Sequence, residues 1–215
     1  MIRPTLIMLY GFPGSGKTFF GRQLANDINA AHVQADRFRF ELFEEPTGNK
    51  QEDQIVNQLS TYMAEEFLNA GVSVIYDANV LRSRQRRELR DLSRKLKAQT
   101  LLIWLQIDAE SAFARVAKRD RRKIDDKYTV SLDRTTFDDV IGHMQNPNMT
   151  EDYVVVSGKH NYQPQRAATF KKFYDLGLIE TSTATDRLVK PGLVNLIPNQ
   201  LRGRVDQSRR NILIR

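Results

Sequence analysis

The 215-residue sequence contains no cysteine, which excludes disulfides and thiolate metal centres. Histidine is scarce: His32, His143 and His160 are scattered, and none has a partner at ligand spacing, so a histidine metal site is not expected. Long hydrophobic runs are missing as well. The apolar stretch at 5–10 is far too short for a membrane span or a signal peptide, and it runs straight into a glycine-rich segment. Together these absences lead us to expect a soluble, cytoplasmic protein with no membrane partner. No internal repeat or low-complexity tract is visible.

At 40% hydrophobic the chain can bury a proper core. Its net charge of +7 favours polyanionic partners such as nucleotides or nucleic acid. The positive charge is clustered. One run spans Arg82, Arg84, Arg86, Arg87, Arg90, Arg94, Lys95 and Lys97; a second spans Arg115, Lys118, Arg119, Arg121, Arg122 and Lys123; a third holds Arg202, Arg204, Arg209, Arg210 and Arg215. The first run suits a solvated helix face, whereas the second has a better claim to bind phosphate.

Short apolar runs alternate with helical periodicity. Strands are expected at 5–10, 32–35, 72–77, 100–108 and 152–158. Helices are expected at 19–28, 36–43, 54–69, 82–97, 109–119, 132–144 and 164–175, with a turn-rich loop at 44–50. In the helix 54–69 the apolar face is read as Ile55, Leu59, Tyr62, Met63, Phe67 and Leu68, and Gly71 ends it. This alternation predicts an α/β fold: a three-layer sandwich around a mainly parallel five-stranded sheet, forming one domain over 1–179. The segment 180–215 changes character. It carries Pro191, Gly192, Pro198 and Gly203 among basic residues and reads as a small basic C-terminal extension.

One motif carries the chemistry. Gly11, Phe12, Pro13, Gly14, Ser15, Gly16, Lys17 and Thr18 match G-x-x-x-x-G-K-[ST], with an apolar strand before and a helix after. Glycines 11, 14 and 16 let successive N–H groups turn toward phosphate oxygens, and the following helix adds its positive end. Lys17 is placed for the β and γ phosphates of ATP and Thr18 for Mg²⁺. Two absences narrow the use of that phosphate. The only approach to a guanine-reading Asn-Lys-x-Asp is Asn49-Lys50-Gln51-Glu52, which ends in Glu and precedes the third strand. The third strand ends in Asp77-Ala78, with no glutamate at 78 to polarise water. GTPase and motor readings lose support, and a kinase that shields the phosphate from water is left.

An acceptor hydroxyl needs a nearby carboxylate. Asp36, just past the second strand, is the candidate base, with Arg39 one turn on; a helix N-cap is the alternative for Asp36. Asp77 is placed to hold Mg²⁺ through water or to hold Thr18, and Asn79 to touch substrate or to cap a helix. Asp108 reads as a cap. Lys118–Lys123 suits a basic lid closing over the triphosphate, with Arg119 and Arg122 as the candidate acting arginines.

Taken together, these elements resemble the P-loop kinases that include polynucleotide 5′-hydroxyl kinases of the phage type and the zeta toxins, over roughly residues 5–160. The loop 11–18 is similar to that family's GxPGSGK[ST], Asp36–Arg39 to its Asp-x-x-Arg, Asp77–Asn79 to its Asp-x-Asn, and Lys118–Lys123 to its lid. The resemblance implies that Asp36 is the base and that Arg39 binds acceptor phosphate. It implies ATP and Mg²⁺ as cofactors and, first, a nucleic-acid 5′-hydroxyl, an RNA or DNA end, as acceptor. A zeta-toxin-like kinase of a nucleotide sugar or other small molecule is the alternative. A regulatory or nucleic-acid-binding ATP module with weak turnover is a third reading. Salt-sensitive binding of oligonucleotides would favour the first or third reading over the second.

Overall fold

The computed structural model describes residues 1–122, 126–130 and 132–180. The elements run in the order β1 (Thr5–Tyr10), α1 (Lys17–Ile28), β2 (Ala31–Gln34), α2 (Ala35–Leu42), α3 (Lys50–Asn69), β3 (Val74–Asp77) and α4 (Ser83–Lys95). They continue with β4 (Gln99–Gln106), α5 (Ala109–Ala117), α6 (Arg134–Gly142), β5 (Tyr153–Ser157) and α7 (Tyr162–Asp175). The strands form one sheet in the order β2-β3-β1-β4-β5, and every pairing is parallel. The fold is therefore the expected α/β sandwich with its central strand first in sequence. The expected extension at 180–215 lies, apart from Glu180, outside the described residues, as does Lys123 of the lid run.

All six β1 residues are buried because helices cover both faces of the sheet. On one side Ile7, Leu9, Ile75, Leu101 and Ile103 meet Phe20 and Leu24 of α1 and Phe170 and Phe173 of α7. On the other, Leu6, Met8, Val74, Tyr76 and Leu102 meet Ala64 and Leu68 of α3 and Leu89 of α4. A third cluster, Ile107, Ala112, Val116 and Phe137, joins α5 to α6, with Phe12 of the glycine-rich loop against it.

The structure corrects several local expectations. Helix α3 starts at Lys50, not Gln54, because the Asn49 side chain accepts from the Gln51 and Glu52 N–H groups and caps the helix early. Its buried stripe is Glu52, Val56, Ser60, Ala64 and Leu68, while Ile55 and Tyr62 are exposed. Leu68 keeps its expected place in the core and Met63 and Phe67 pack against it, so the buried face is the expected one turned toward Val56, Ser60 and Ala64. The basic helix is also not simply a solvated face. Arg86 of α4 is 0% exposed, forked onto Glu151 at 2.9 and 3.0 Å and bonded to the Val80 carbonyl. Arg90 pairs with the same carboxylate.

Parallel strands put all their carboxyl ends on one edge. That edge carries the loop after β1, Asp36 after β2, Asp77 at the end of β3 and the loops after β4 and β5.

Candidate active site

The loop between β1 and α1 is shaped by left-handed glycines. Gly16 caps α1 at φ +94°, and Gly14 stands at φ +83° with no room for a side chain: a Cβ there would lie 2.3 Å from the Ala112 carbonyl oxygen. The backbone must therefore approach α5 closely at Gly14 and turn back at Gly16. Lys17 arches over the loop, its Nζ donating to the Gly11 and Phe12 carbonyls at 2.9 Å each. Ser15 Oγ is buried inside the loop without a hydrogen-bond partner.

Around this loop lies a cleft of about 550 Å³. It is lined by Pro13, Gly14, Gly16, Lys17 and Thr18 of the loop, by the carboxylates Asp36 and Asp77, and by the cations Arg115, Lys118 and Arg119. The Thr18 hydroxyl donates to Asp77 Oδ2 at 2.7 Å, and His32 Nε2 stands 3.5 Å from that same oxygen. Burial works against the Asp77 carboxylate, but the His32 ring, Lys17 and the Thr18 hydroxyl outweigh it and hold the group below its ordinary range. Burial lowers Lys17, with Asp77 opposing. Asp36 goes the other way. Asp36 is exposed on the cleft; crowding of its carboxyl by the surrounding protein first, and the charge of Asp77 second, raise it, against the pull of Arg119, Lys17 and Arg39. Two carboxylates on one edge are thus shifted in opposite directions, Asp77 down and Asp36 up.

The donor set fits Mg²⁺·ATP. A hydroxyl and an ionised carboxylate in contact, Thr18 and Asp77, are hard oxygen ligands. Among the described residues no cluster of three or more His, Asp or Glu side chains gathers, so phosphate and water oxygens would supply the rest of the shell. The loop N–H groups, the α1 terminus and Lys17 would hold the phosphates.

The cleft thus brings together Pro13, Gly14, Gly16, Lys17 and Thr18 of the loop with Asp36, Asp77 and Arg119, while Gly11 and Ser15 are buried. Three expected residues are placed elsewhere. Arg39 turns to α3, bonding Glu52 at 3.1 Å and pairing with Asp53, and from there its charge still acts on Asp36. Arg122 is 91% exposed and paired with Asp120. Asn79 lines a separate hollow of about 220 Å³ with Asn57, Thr61, Tyr76, Gln85 and Glu88. Asp36 is not an N-cap, since that position is Gln34, whereas Asp108 does cap α5 through the Ser111 N–H.

Arg115 and Lys118, expected in the phosphate-binding basic run, do line the cleft, three and four apart with Arg119 on one face of α5 and its continuation, whereas sequence reasoning missed Asp126 and Thr129. Arg115 also donates to the Gly158 carbonyl at 2.7 Å, tying the loop after β5 to the cleft. Beyond α5 the chain crosses to α2. Arg121 lies 4.7 Å over the Phe40 ring, and the Tyr128 ring stands 6.2 Å from that ring.

Comparison with known proteins gives the same architecture. The family model described as AAA domain, AAA_33, matches residues 6–147. No curated protein matches the chain. Among solved structures, a gluconokinase from Sinorhizobium meliloti 1021 superposes with a TM-score of 0.60 at 14% identity, covering 83% of this chain and 98% of that one. The Mycobacterium tuberculosis APS kinase CysC, in complex with AMPPNP and APS, gives 0.59 at 13% identity, with 81% and 99% coverage. The Pnkp1/Rnl/Hen1 RNA repair complex gives 0.56 at 19% identity, covering 66% of this chain and 44% of that one.

Proposed function

The chain belongs to the AAA_33 family and carries the fold of small P-loop kinases, and on that premise we propose that it is an ATP- and Mg²⁺-dependent kinase that phosphorylates a hydroxyl of a small molecule. The observation that carries this reading is Asp36: a carboxylate raised in proton affinity, facing the cleft beside Lys17 and the Thr18–Asp77 pair. A binding module has no need of such a group.

Lys17 leaves the Gly11 and Phe12 carbonyls for the β and γ phosphates, with the loop N–H groups around them. Thr18 and Asp77 would hold Mg²⁺, which would supply charge neutralisation for the phosphates. Asp36 takes the proton of the acceptor hydroxyl as the new O–P bond forms and the bond from the γ phosphorus to the bridging oxygen breaks, releasing ADP. Arg119, and Arg115 and Lys118 beside it, face the charge that develops on the transferred group.

The small-molecule reading is supported by coverage: the gluconokinase and the APS kinase match over nearly their whole length, while the RNA repair complex matches over less than half. A nucleic-acid 5′-hydroxyl is the second reading, favoured by the net charge of +7.

The test is transfer of label from γ-labelled ATP and Mg²⁺ to a panel of sugars and sugar acids, nucleosides, nucleotide sugars and 5′-hydroxyl oligonucleotides, with Asp36→Ala as control. Labelling of a small molecule that Asp36→Ala abolishes is the expected result. No labelled acceptor, or normal transfer by the variant, would sink the mechanism.

A further inference from the structure

At the opposite edge of the sheet, where the strands begin, lies a second concave site that the chemistry above does not use. It is a cavity of about 740 Å³ lined by Arg3, Arg90, Arg94 and Lys97, with Ala98, Gln99, Thr100, Thr150 and Asp152. Arg3 precedes β1, Gln99 opens β4, and Thr150 and Asp152 lead into β5. The six residues of β1 separate this edge from the P-loop, about 20 Å at strand rise. A ligand here does not reach the γ phosphate.

Charge accounting favours an anion. Glu151 is shared between Arg86, which it neutralises in the core, and Arg90, so the triad carries an excess positive charge at the cavity wall. Arg94 is held by Asp91 on the solvent side, whereas Arg3 and Lys97 have no carboxylate within ion-pair reach among the described residues. Asp152 is the one carboxylate in the lining.

Lys97 supplies an independent observation. It closes α4 in the left-handed region, at φ +55°, with the Ala98 N–H donating to the Ser93 carbonyl. The same left-handed position after α1, α3 and α7 is filled by Asn29, Gly71 and Gly177. Those residue types adopt that conformation at little cost, and lysine does not. Helix α4 therefore carries a cation where local backbone preference asks for glycine or asparagine, and its side chain lines the cavity.

The lining contains no aromatic side chain, so bases have nothing to stack on. Arg87, Arg90, Arg94 and Lys97 follow one another at steps of three and four, a stripe about 15 Å long at helical rise. Such a stripe suits the repeated charges of a phosphodiester backbone. We infer that this cavity and the adjoining α4 stripe are a docking site for a nucleic-acid phosphodiester backbone, read through its phosphates and separate from the catalytic cleft. The site holds the protein on a polyanion irrespective of sequence, while the cleft at the other edge turns over its own substrates.

The experiment is fluorescence anisotropy of a labelled oligothymidylate of about 20 nucleotides, titrated between roughly 50 and 200 mM salt, with saturating Mg²⁺·ADP to occupy the P-loop. The full chain is used throughout, so cations beyond residue 180 are common to all variants. The triple variant Arg3→Gln/Arg94→Gln/Lys97→Gln should bind about 30-fold more weakly at low salt and reduce the salt slope by about 2. Lys97→Gly should weaken binding about 3-fold while raising Tm by about 2 °C, because glycine relieves the left-handed strain. Wild-type affinity and slope in the triple variant overturn the proposal, as does a Lys97→Gly protein that gains stability and binds unchanged. Displacement of the oligonucleotide by tripolyphosphate at equal phosphate concentration also overturns it, in favour of a compact oligophosphate pocket. Binding is read without turnover, so failure of the kinase reading and failure of this one are distinguishable.

Discussion

Single side chains decide the chemistry, and Asp36 and Asp77 show how. Both are aspartates at strand ends on one sheet edge, yet their surroundings drive them in opposite directions. Because crowding by protein and Asp77 raise Asp36, transfer should fall as pH drops through that raised value, while ATP binding, which needs only the already ionised Asp77, should persist further into acid. A pH profile of kcat/KM for the acceptor, set beside nucleotide affinity over the same range, checks this; coincident profiles would count against it. Asp36→Asn should lower kcat by about 100-fold or more and leave ATP affinity within a few-fold, measurable by single-turnover kinetics and calorimetry. Gly14→Ala adds both a Cβ 2.3 Å from the Ala112 carbonyl oxygen and a strained φ of +83°. That variant should lose nucleotide binding in an equilibrium titration, since the loop cannot keep its N–H groups convergent.

At the scale of elements, α2 is the piece on which the site turns, because it carries Asp36 yet has no fully buried residue of its own. It is held instead by its neighbours. Arg39 pairs with Glu52 and Asp53 of α3, and Glu52 accepts from the Thr47 hydroxyl and from the Thr47 and Gly48 N–H groups. The Thr47 hydroxyl first, then the loop N–H groups and Arg39, bring Glu52 down to about 2. A depressed carboxylate contributes stability that is present above its unfolded value of 4.5 and is lost as pH falls toward 2. Acid unfolding followed by circular dichroism should therefore show a transition in that window that Glu52→Gln flattens. If the variant keeps the wild-type acid limb, the loop 44–49 is held by something else. Arg39, one turn from Asp36 in sequence, is held by the α3 carboxylates and does not line the cleft.

Across the whole molecule, the parallel sheet separates two jobs. Its carboxyl edge gathers the cleft and its amino edge gathers the basic cavity, with the buried Arg86–Glu151 pair tying α4 to the segment before β5 between them. Arg86→Met leaves Glu151 buried with only Arg90 as a charged partner and should cost about 3–5 kcal/mol in urea unfolding. Restoring balance with Glu151→Gln in the same chain should recover part of that loss; additive losses would argue against a coupled pair. A non-hydrolysable ATP analogue at about 100 times its Kd should stabilise the protein by about 2.7 kcal/mol, seen as a rise in unfolding midpoint that Gly14→Ala lacks.

Local signals in the chain determined the strand–helix alternation, the P-loop and the candidate acids, because each rests on residues adjacent or one turn apart. The run TLIMLY followed by GFPGSGKT needs no distant partner to be read, and the same holds for Asp36 after β2 and Gly71 after α3. What those residues touch was decided only by tertiary structure. Which residues of α3 are buried followed from its packing on the sheet: Ser60 and Ala64 lie innermost beside Leu68, while Ile55 and Tyr62 stay exposed. Arg86 and Arg39 read as surface or substrate cations until Glu151, Glu52 and Asp53, distant in sequence, came within bonding distance. The opposite proton affinities of Asp36 and Asp77 likewise depend on burial and on charges that other strands and helices bring close. A motif is a property of contiguous chain, whereas an electrostatic environment is a sum over everything nearby, and only the folded sheet says what is near.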